Sequence, residues 1–590
     1  MKRIALLTAL MMALMLTGCT QEEAAPVEGP EAVEAMAPAR VAVHKEPVPD
    51  IGQEGLRDDP RLYDEYDPTE VVTFYVTVRK GSAADKTDNT FEQINRYRNT
   101  QGMRGVEKIH AAAIVQIGDE QGPLPGQVGY GATAVNATIN VRGRSSTSAP
   151  QKSYRLSLMD NAGLWRGQRD IALNKHPFDL TRLRNMIYFE LLRDVSSIPS
   201  LRTQFVHLYI KDETDPNAPE GFVDHGLYTQ VELPNKRYLR NHGLSRGGDL
   251  YKANMCEMYR YPDQLRAATD PAYDLKRFSE VLEPKSDGDH LKLLRMLDAL
   301  NDYSIPIEDI VERHFDLDNL TSFLAFNMLM GNRDSNSQNY FLYSPVNSET
   351  WYYLCWDGDD AMSYYEDELT QSAWVEGEWA RGISNYWGVL LFNRMMRVED
   401  YREALIDKVQ ALRDQITPER IAQMIARYRR TVDQYTVRLP DAIHIELPRD
   451  KIELVYQRMP YDVERTYQYF LESLKKPMPF YQGEVKADGD ELLLSWDAAY
   501  DLNGEFITYA VQVASDWTFE PEAMVWEAER LIEPLTRMPM LPAHEYYWRV
   551  VATNEGGFAQ QSFDQVQTNS GAHNGMRRFS VDGKGQVINE

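Results

Sequence analysis

The spacing of hydrophobic positions changes along the chain and predicts strands, then helices, then strands again. β-Branched and aromatic residues dominate VVTFYVTV from Val71, and further runs of this kind recur as far as Leu233, which is typical of strands. Between Asp400 and Lys476 the apolar positions lie three or four apart, which predicts helices. Beyond Pro479 the runs are short, evenly spaced and alternating. The pattern therefore predicts an α+β fold followed by an all-β sandwich.

The most informative segment runs from Thr321 to Met362. Its apolar residues keep a helical spacing up to Gly331, and a polar run from Asn332 to Gln338 follows. The aromatic-rich runs YFLY and WYYLC come next, joined by turn-forming residues, and predict a β-hairpin. Because a hairpin returns the chain to its starting point, we expect Asp357 to lie beside Asn339.

This hairpin would bring oxygen-bearing side chains together, since Asp334 lies in the adjoining loop. Asp and Asn oxygens are the ligands that a hard cation such as Mg²⁺ prefers. In protein kinases an Asp orients the substrate hydroxyl, an Asn five residues later binds metal, and a second Asp after a short hairpin binds the metal at the ATP phosphates. Asp334 and Asn339 have that spacing, and Asp357 and Asp359 follow in WDGD. The alternative is a polar loop whose side chains only cap turns.

A second polar cluster, RGRSSTSAPQKSYRL, lies between two predicted strands. Arg142, Arg144 and the neighbouring hydroxyls are donors suited to phosphate oxygens, and Lys152 opens the second strand. The alternative is that the arginines tie the strands together through carboxylates.

A carboxylate lies among the apolar positions of the helix predicted from Leu180 to Val195. An unpaired buried carboxylate is costly, so Glu190 requires a partner. By analogy with kinases, that partner is Lys152, a lysine that would otherwise hold the α- and β-phosphates. The alternative is a salt bridge to Arg184 or Arg193 on the same helix.

Four motifs in order resemble the CotH family, atypical secretory kinases named for a spore-coat protein. NRDSNSQNYFLY with WDGD is similar to the family pattern NxDxxxxNYYLY followed by WDxD, and RGRSSTSAPQKSYRL to RGxSSxxxPKKSYRL. LTRLRNMIYFELLRD resembles the family helix LLRNxLAYELARD, and GLYTQVE resembles the strand GLYxLxE. The resemblance covers about Val71 to Lys476. Gln151 departs from it, replacing the first of two lysines.

The resemblance implies an atypical protein-kinase-like fold over residues 66–476 and transfer of the ATP γ-phosphate to a protein Ser or Thr hydroxyl. Asp334 would act on the acceptor, and Mg²⁺ or Mn²⁺ would be held by Asn339, Asp357 and Asp359. The residues implied for nucleotide binding are Arg142, Arg144, Lys152, Glu190 and Glu232; Glu232 would otherwise cap the helix that follows it. Two alternatives are a non-catalytic surface protein with this fold and a structural Ca²⁺ site.

The first residues predict a lipoprotein signal peptide over positions 1–19. A basic start, an apolar run and small residues precede Cys19, and LTGC resembles the bacterial lipobox, in which the Cys is acylated. We therefore expect a protein anchored by lipid at Cys19, facing outside the cytoplasm in a bacterial cell envelope. The alternative is a plain secretory signal. Residues 20–65, rich in Ala, Pro and Glu, predict a disordered tether.

The C-terminal runs resemble a fibronectin type III domain, an immunoglobulin-like sandwich, over residues 480–568. Tyr546 is placed for a tyrosine corner, next to Trp548 in an alternating strand. Residues 569–590 are polar and glycine-rich and predict a disordered tail. The pattern leaves open whether Cys256 and Cys355 pair.

The net charge limits the kinds of partner, and the length limits the number of domains. The formal charge of −26 argues against nucleic acid, because phosphate binding requires clustered cations. At 590 residues and 43% hydrophobic composition, the chain can form two or three domains. The expected partners are a protein substrate in the envelope and the membrane that holds the anchor.

Overall fold

A computed structural model describes residues 56, 58–64, 67–98, 108–370, 377–445 and 447–589. The signal peptide, Cys19 and most of the predicted tether lie outside these ranges. Within the part of the chain described, no helix is both long and apolar enough to cross a bilayer.

Seven strands of the N-terminal part form a closed barrel, and an eighth, short strand adds to its edge. The ring runs β1–β7–β8–β6–β5–β4–β2 and closes where β2 pairs with β1; β3 extends β2. Only the β1–β7 pair of this sheet is parallel. Apolar side chains of Phe74, Val76 and Val78 fill the interior. The strands are β1 (Val71–Arg79), β2 (Ala111–Asp119), β3 (Gly122–Pro123), β4 (Ala137–Arg142), β5 (Ser153–Leu158), β6 (Asp170–Asn174), β7 (Thr203–Asp212) and β8 (Val223–Val231).

A larger region of helices around a four-stranded sheet follows the barrel. The sheet has the order β10–β9–β11–β12 and contains β9 (Asp249–Ala253), β10 (Leu282–Pro284), β11 (Tyr340–Ser344) and β12 (Tyr352–Cys355). The helices of the described chain are α1 (Arg61–Asp64), α2 (Phe91–Arg96), α3 (Arg184–Leu192), α4 (Lys236–Asn241), α5 (Leu275–Val281), α6 (Leu291–Asn301), α7 (Ile307–His314), α8 (Leu317–Met330), α9 (Tyr364–Thr370), α10 (Leu390–Met396), α11 (Glu399–Gln415), α12 (Pro418–Thr436), α13 (Arg449–Arg458) and α14 (Asp462–Ser473).

The C-terminal region is rich in strands, as the alternating pattern predicts. A three-stranded sheet, β13–β14–β17, accompanies a larger one with the order β16–β15–β18–β22–β23, to which β19 adds; β20 pairs with β21. The strands are β13 (Lys486–Asp488), β14 (Glu491–Ser495), β15 (Ile507–Ala514), β16 (Met524–Leu531), β17 (Leu535–Pro539), β18 (His544–Asn554), β19 (Ala559–Gln561), β20 (Gln565–Thr568), β21 (Gly571–Asn574), β22 (Met576–Val581) and β23 (Val587–Asn589).

The tail predicted to be disordered is part of this region. β22 pairs with β18 along its length, and Phe579 and Val581 enter the apolar core. The prediction was wrong because only a few apolar residues, separated by arginines and serine, carry the strand. Pairing with a long neighbouring strand supplies the order that the local sequence does not show.

The predicted tether also ends earlier than position 65. Leu56 is buried in the main core, and the Asp58 carboxylate accepts hydrogen bonds from the Ser200 amide at 3.0 Å and from His242 Nδ1 at 2.5 Å. The folded region therefore includes residues that the sequence assigns to the tether.

The change of period at Pro477 and Pro479 marks a packed junction between the helical and strand-rich regions. Met478 is fully buried, and its amide donates to the Tyr500 carbonyl at 2.7 Å. The Tyr500 ring stacks on Trp387, with ring centroids 5.6 Å apart.

Candidate active site

The hairpin places Asp357 beside Asn339, as the sequence predicts. Tyr340 pairs with Cys355, and the Trp356 amide donates to the Asn339 carbonyl at 3.1 Å. Asn339 and Asp357 have φ angles of 58° and 55°, in the left-handed region that Asn and Asp tolerate better than other side chains. Such backbone strain is held by surrounding structure and is concentrated at functional sites.

Gly358 is required by the close approach of Tyr188. A Cβ at this position would lie 2.3 Å from the Tyr188 ring, while the Gly358 amide donates to Asn185 Oδ1 at 3.0 Å. The chain after Asp357 is therefore fixed against helix α3.

Asp334 lies in a short 3₁₀ turn, Arg333–Ser335, that follows the helix stop at Gly331. The Ser335 hydroxyl is hydrogen-bonded to the Tyr386 hydroxyl at 2.7 Å, and Asn385 Nδ2 donates to the Arg333 carbonyl at 2.9 Å. These contacts fix the backbone on both sides of Asp334 and leave its side chain half-buried.

The Arg333 guanidinium further fixes this loop. It pairs with Asp360 at 3.0 Å and with Asp367 at 2.8 Å. Arg333 thus links the turn that carries Asp334 to the segment after the hairpin.

The carboxylates of the site repel one another. Burial and the Asp360 carboxylate raise the pKa of Asp334 to about 6. Burial and the Asp359 carboxylate raise the pKa of Asp357 to about 7. Burial also acts to raise the pKa of Asp359, but His176, 3.5 Å away, makes the net change a lowering. A bound cation would relieve this repulsion.

Two predicted phosphate-binding cations face the same loop from the barrel. Arg144 Nη1 donates to Gln338 Oε1 at 3.3 Å, and the Arg142 guanidinium lies 5.8 Å from the centroid of the Trp356 ring. The polar loop after β4 is therefore opposite the segment that carries Asp334 and Asp357.

Comparison with known proteins agrees with the motifs. The family model described as CotH kinase protein matches residues 139–467, more than half of the chain. The chain belongs to the CotH kinase protein family. One curated relative, the inner spore coat protein H of Bacillus subtilis (strain 168), is 23% identical over 245 residues. That alignment covers 40% of this chain and 62% of the relative, less than two thirds of its length.

Lys152 does not contact Glu190 in this CotH protein. Lys152 Nζ donates to the carbonyl oxygens of Thr147 and Ala149 at 2.8 and 2.5 Å, which closes the turn of its own loop. The interpretation of Lys152 as the lysine of a kinase-type ion pair is therefore wrong. The Lys152 side chain contacts backbone carbonyls close to it in the sequence, and residue spacing alone does not predict this contact.

Glu190 is paired outside the candidate site, and with none of the three residues predicted as its partner, Lys152, Arg184 and Arg193. Its carboxylate contacts Arg427 and Tyr428 of helix α12. Arg184 pairs instead with Asp179 at 2.6 Å, and with Glu366. The helix packs against a distant part of the chain, so no local rule identified the partner.

Glu232 is part of a buried ionic network and is not available to a nucleotide. Arg202 donates two hydrogen bonds to it, at 3.0 and 2.5 Å, and His242 Nε2 lies 3.1 Å away. Burial acts to raise the pKa of Glu232, but His242 and Arg202 lower it to about 2. Asn235, rather than Glu232, caps the next helix.

The residue at the position where the family has another lysine contacts side chains outside the predicted site. The Gln151 amide donates to Asp441 Oδ1 at 3.2 Å and accepts from Arg182 at 3.3 Å. Lys175 pairs with the same Asp441 carboxylate at 2.7 Å. Gln151 therefore belongs to a neighbouring cluster, and its substitution does not remove a cation from the site.

Two residues near Asp357 were missed by the sequence analysis. His176 contacts Asp359, and Lys252 of β9 lies 5.8 Å from the centroid of the Trp356 ring. Lys252 could have been noticed, because a lysine inside the apolar strand DLYKA is unusual and calls for an explanation.

Cys256 and Cys355 are buried free thiols, so the two cysteines are not paired.

Proposed function

We propose that this protein is a lipid-anchored atypical protein kinase of the cell envelope, which transfers the ATP γ-phosphate to Ser or Thr hydroxyls of envelope or surface proteins. One observation carries the proposal. Asp334, Asn339 and Asp357 are held in one place by a rigid loop and hairpin, opposite Arg142 and Arg144. Family membership supports the same reaction class.

The donor set fits Mg²⁺ or Mn²⁺ bound together with ATP. Among the residues described, no three His, Cys, Asp or Glu side chains form a metal site by themselves. Asn339, Asp357 and Asp359 supply oxygen ligands, and Mg²⁺ typically takes one or two carboxylates, with phosphate oxygens and water completing its shell. When bound, ATP would supply the phosphoryl group, and the metal ion would offset its negative charge.

Asp334 is the residue suited to the acceptor hydroxyl. With a pKa of about 6, its carboxylate is mostly ionised at neutral pH and can accept a proton. The contacts of Ser335 and of the Arg333 side chain and carbonyl position its turn, and the Gln338 side chain is hydrogen-bonded to its carboxylate. Arg142 and Arg144 would orient the phosphates from the opposite side.

The same proposal includes the finer description of the fold. The strand-rich N-terminal part and the helical part both contribute residues to the polar site, and this arrangement supports an atypical protein-kinase-like fold. Three strands facing a larger sheet, and the Tyr546 hydroxyl donating to the Pro542 carbonyl at 3.0 Å, support a fibronectin type III-like sandwich.

The direct test uses the purified full-length protein with labelled ATP and either Mg²⁺ or Mn²⁺. We expect label on the protein itself or on added envelope proteins, and stabilisation against heat by metal-bound ATP. No transfer and no ATP binding with either metal would rule out the kinase.

The lipid anchor gives a separate prediction. Cys19→Ala should remove the acylation site, so the protein should leave the membrane fraction. Fractionation of cells that express the parent or the variant measures this, with Cys256→Ala as the thiol control. Equal membrane retention of parent and Cys19→Ala would disprove the anchor.

One set of contacts favours a second candidate, a non-catalytic envelope protein that uses the CotH fold for binding. Lys152 and Glu190 have partners other than each other, so the kinase-type ion pair is missing. In that case Ca²⁺ alone should stabilise the protein through the same carboxylates, and Asp357→Ala should remove the effect.

A further inference from the structure

Lys252 occupies a defined position next to the candidate metal ligands. It pairs with Phe341 of β11, which in turn pairs with Leu354 of β12. Trp356 lies two residues beyond Leu354, on the same face, and directly precedes Asp357. The three strands thus place Lys252 on the same face of the sheet as Trp356, and it lies close enough to Asp357 for the two charges to attract each other.

Two cations from separate elements share the Trp356 ring. Lys252 Nζ and the Arg142 guanidinium each lie 5.8 Å from the ring centroid. Cation–π attraction holds them there, but it is weaker than a salt bridge to a buried carboxylate. Both side chains are only half-exposed, so water does not fully screen their repulsion.

Within the part of the chain that the structure describes, the side chains of Lys252 and Arg142 form no hydrogen bond and no salt bridge to a carboxylate. Glu283 attracts Lys252 but is itself paired with Lys285 at 2.5 Å. Burial lowers the pKa of Lys252 to about 8. Asp357 also attracts both cations. Metal-bound ATP would pair a metal ion with Asp357 and leave phosphate charge to balance Lys252 and Arg142.

We propose, on the basis of the proposed kinase function, that Lys252 contacts the nucleotide phosphates together with Arg142, in the role that the sequence assigns to Lys152. The Lys152 ammonium group already donates to two backbone carbonyls, whereas the Lys252 ammonium group has no such donor contact among the described residues. The lysine therefore comes from the sheet of the helical region and not from the barrel.

Binding titrations of the full-length protein test this without relying on turnover. Lys252→Met should raise the Kd for metal-bound ATP by about 10- to 100-fold, the usual effect of losing a charged hydrogen bond. Adenosine, which has no phosphate, should bind parent and variant equally. Lys252→Arg keeps the cation and should recover most of the ATP affinity.

A matched control is Lys292→Met. Lys292 also lies over a tryptophan, 5.5 Å from the Trp351 centroid, but it is already paired with Asp249 at 2.8 Å. We expect unchanged ATP affinity. Lys152→Met should weaken ATP binding less than Lys252→Met.

The outcomes separate this inference from the kinase proposal. If the parent binds ATP and Lys252→Met binds it equally well, Lys252 does not meet the phosphates, although the kinase stands. Equal losses for ATP and adenosine also overturn the inference, because the variant would have disturbed the whole site. If the parent binds no ATP, the proposed function itself fails.

Discussion

Asp334→Asn should reduce phosphoryl transfer by about 10²- to 10⁴-fold while leaving ATP affinity unchanged, the range expected for loss of a positioned general base. The amide keeps the size of the side chain but cannot accept the hydroxyl proton. Arg333 and Ser335, which fix the turn, keep their partners Asp360 and Tyr386. Initial rates with labelled ATP and a titration of metal-bound ATP measure the two effects.

Asp357→Ala, in the same experiment, should lose both properties. Asp357 faces the metal and phosphates in the proposed site, so its removal should weaken metal-dependent ATP binding and abolish transfer. Asp287→Asn is the control, because Asp287 is exposed and pairs with Lys236 at the surface. If Asp334→Asn weakened ATP binding as much as Asp357→Ala does, the separate roles of the two aspartates would be wrong.

Glu232→Ala should lower the free energy of unfolding by about 3 to 5 kcal/mol, the range for breaking a buried ion pair. The change leaves the Arg202 guanidinium and His242 buried without their carboxylate. It should not change the ATP affinity of the protein that remains folded. Urea unfolding and an ATP titration below the unfolding transition measure the two quantities.

Glu190→Ala is the matched control for this prediction. Glu190 is another carboxylate that the sequence assigns to the nucleotide, but the side chain of its partner Arg427 is 43% exposed. Loss of the Glu190 carboxylate should lower the free energy of unfolding by about 1 kcal/mol or less. A large drop in ATP affinity with Glu232→Ala, without loss of stability, would contradict this prediction and support nucleotide binding by Glu232.

The sequence predicted the part of the site whose geometry is local. Gly331 ends a helix, and a short turn joins two aromatic strands, so Asn339 and Asp357 meet without help from the rest of the chain. Arg142 and Arg144, which the motif order groups with these residues, lie beside Trp356 and Gln338, and their binding of nucleotide stays a prediction. Contacts within about thirty residues are what spacing and periodicity describe.

Partners from distant segments could not be predicted in this way. Glu190 contacts a helix more than two hundred residues later in the chain. Lys152 donates to a carbonyl of its own loop instead of pairing with a distant carboxylate. The barrel closes through a pairing of β1 with β2 that no single strand indicates. The position of Lys252 beside Trp356 becomes evident only from the pairing of its strand in the structure.

The junction at Met478 affects how shortened forms of this protein should be interpreted. Trp387, on which Tyr500 stacks, directly follows Tyr386, whose hydroxyl is bonded to Ser335 beside Asp334. A protein ending at Lys476 would expose that tryptophan face and remove one support of the turn that carries Asp334. Low transfer by such a fragment would therefore not identify the C-terminal region as the part that recognises the substrate.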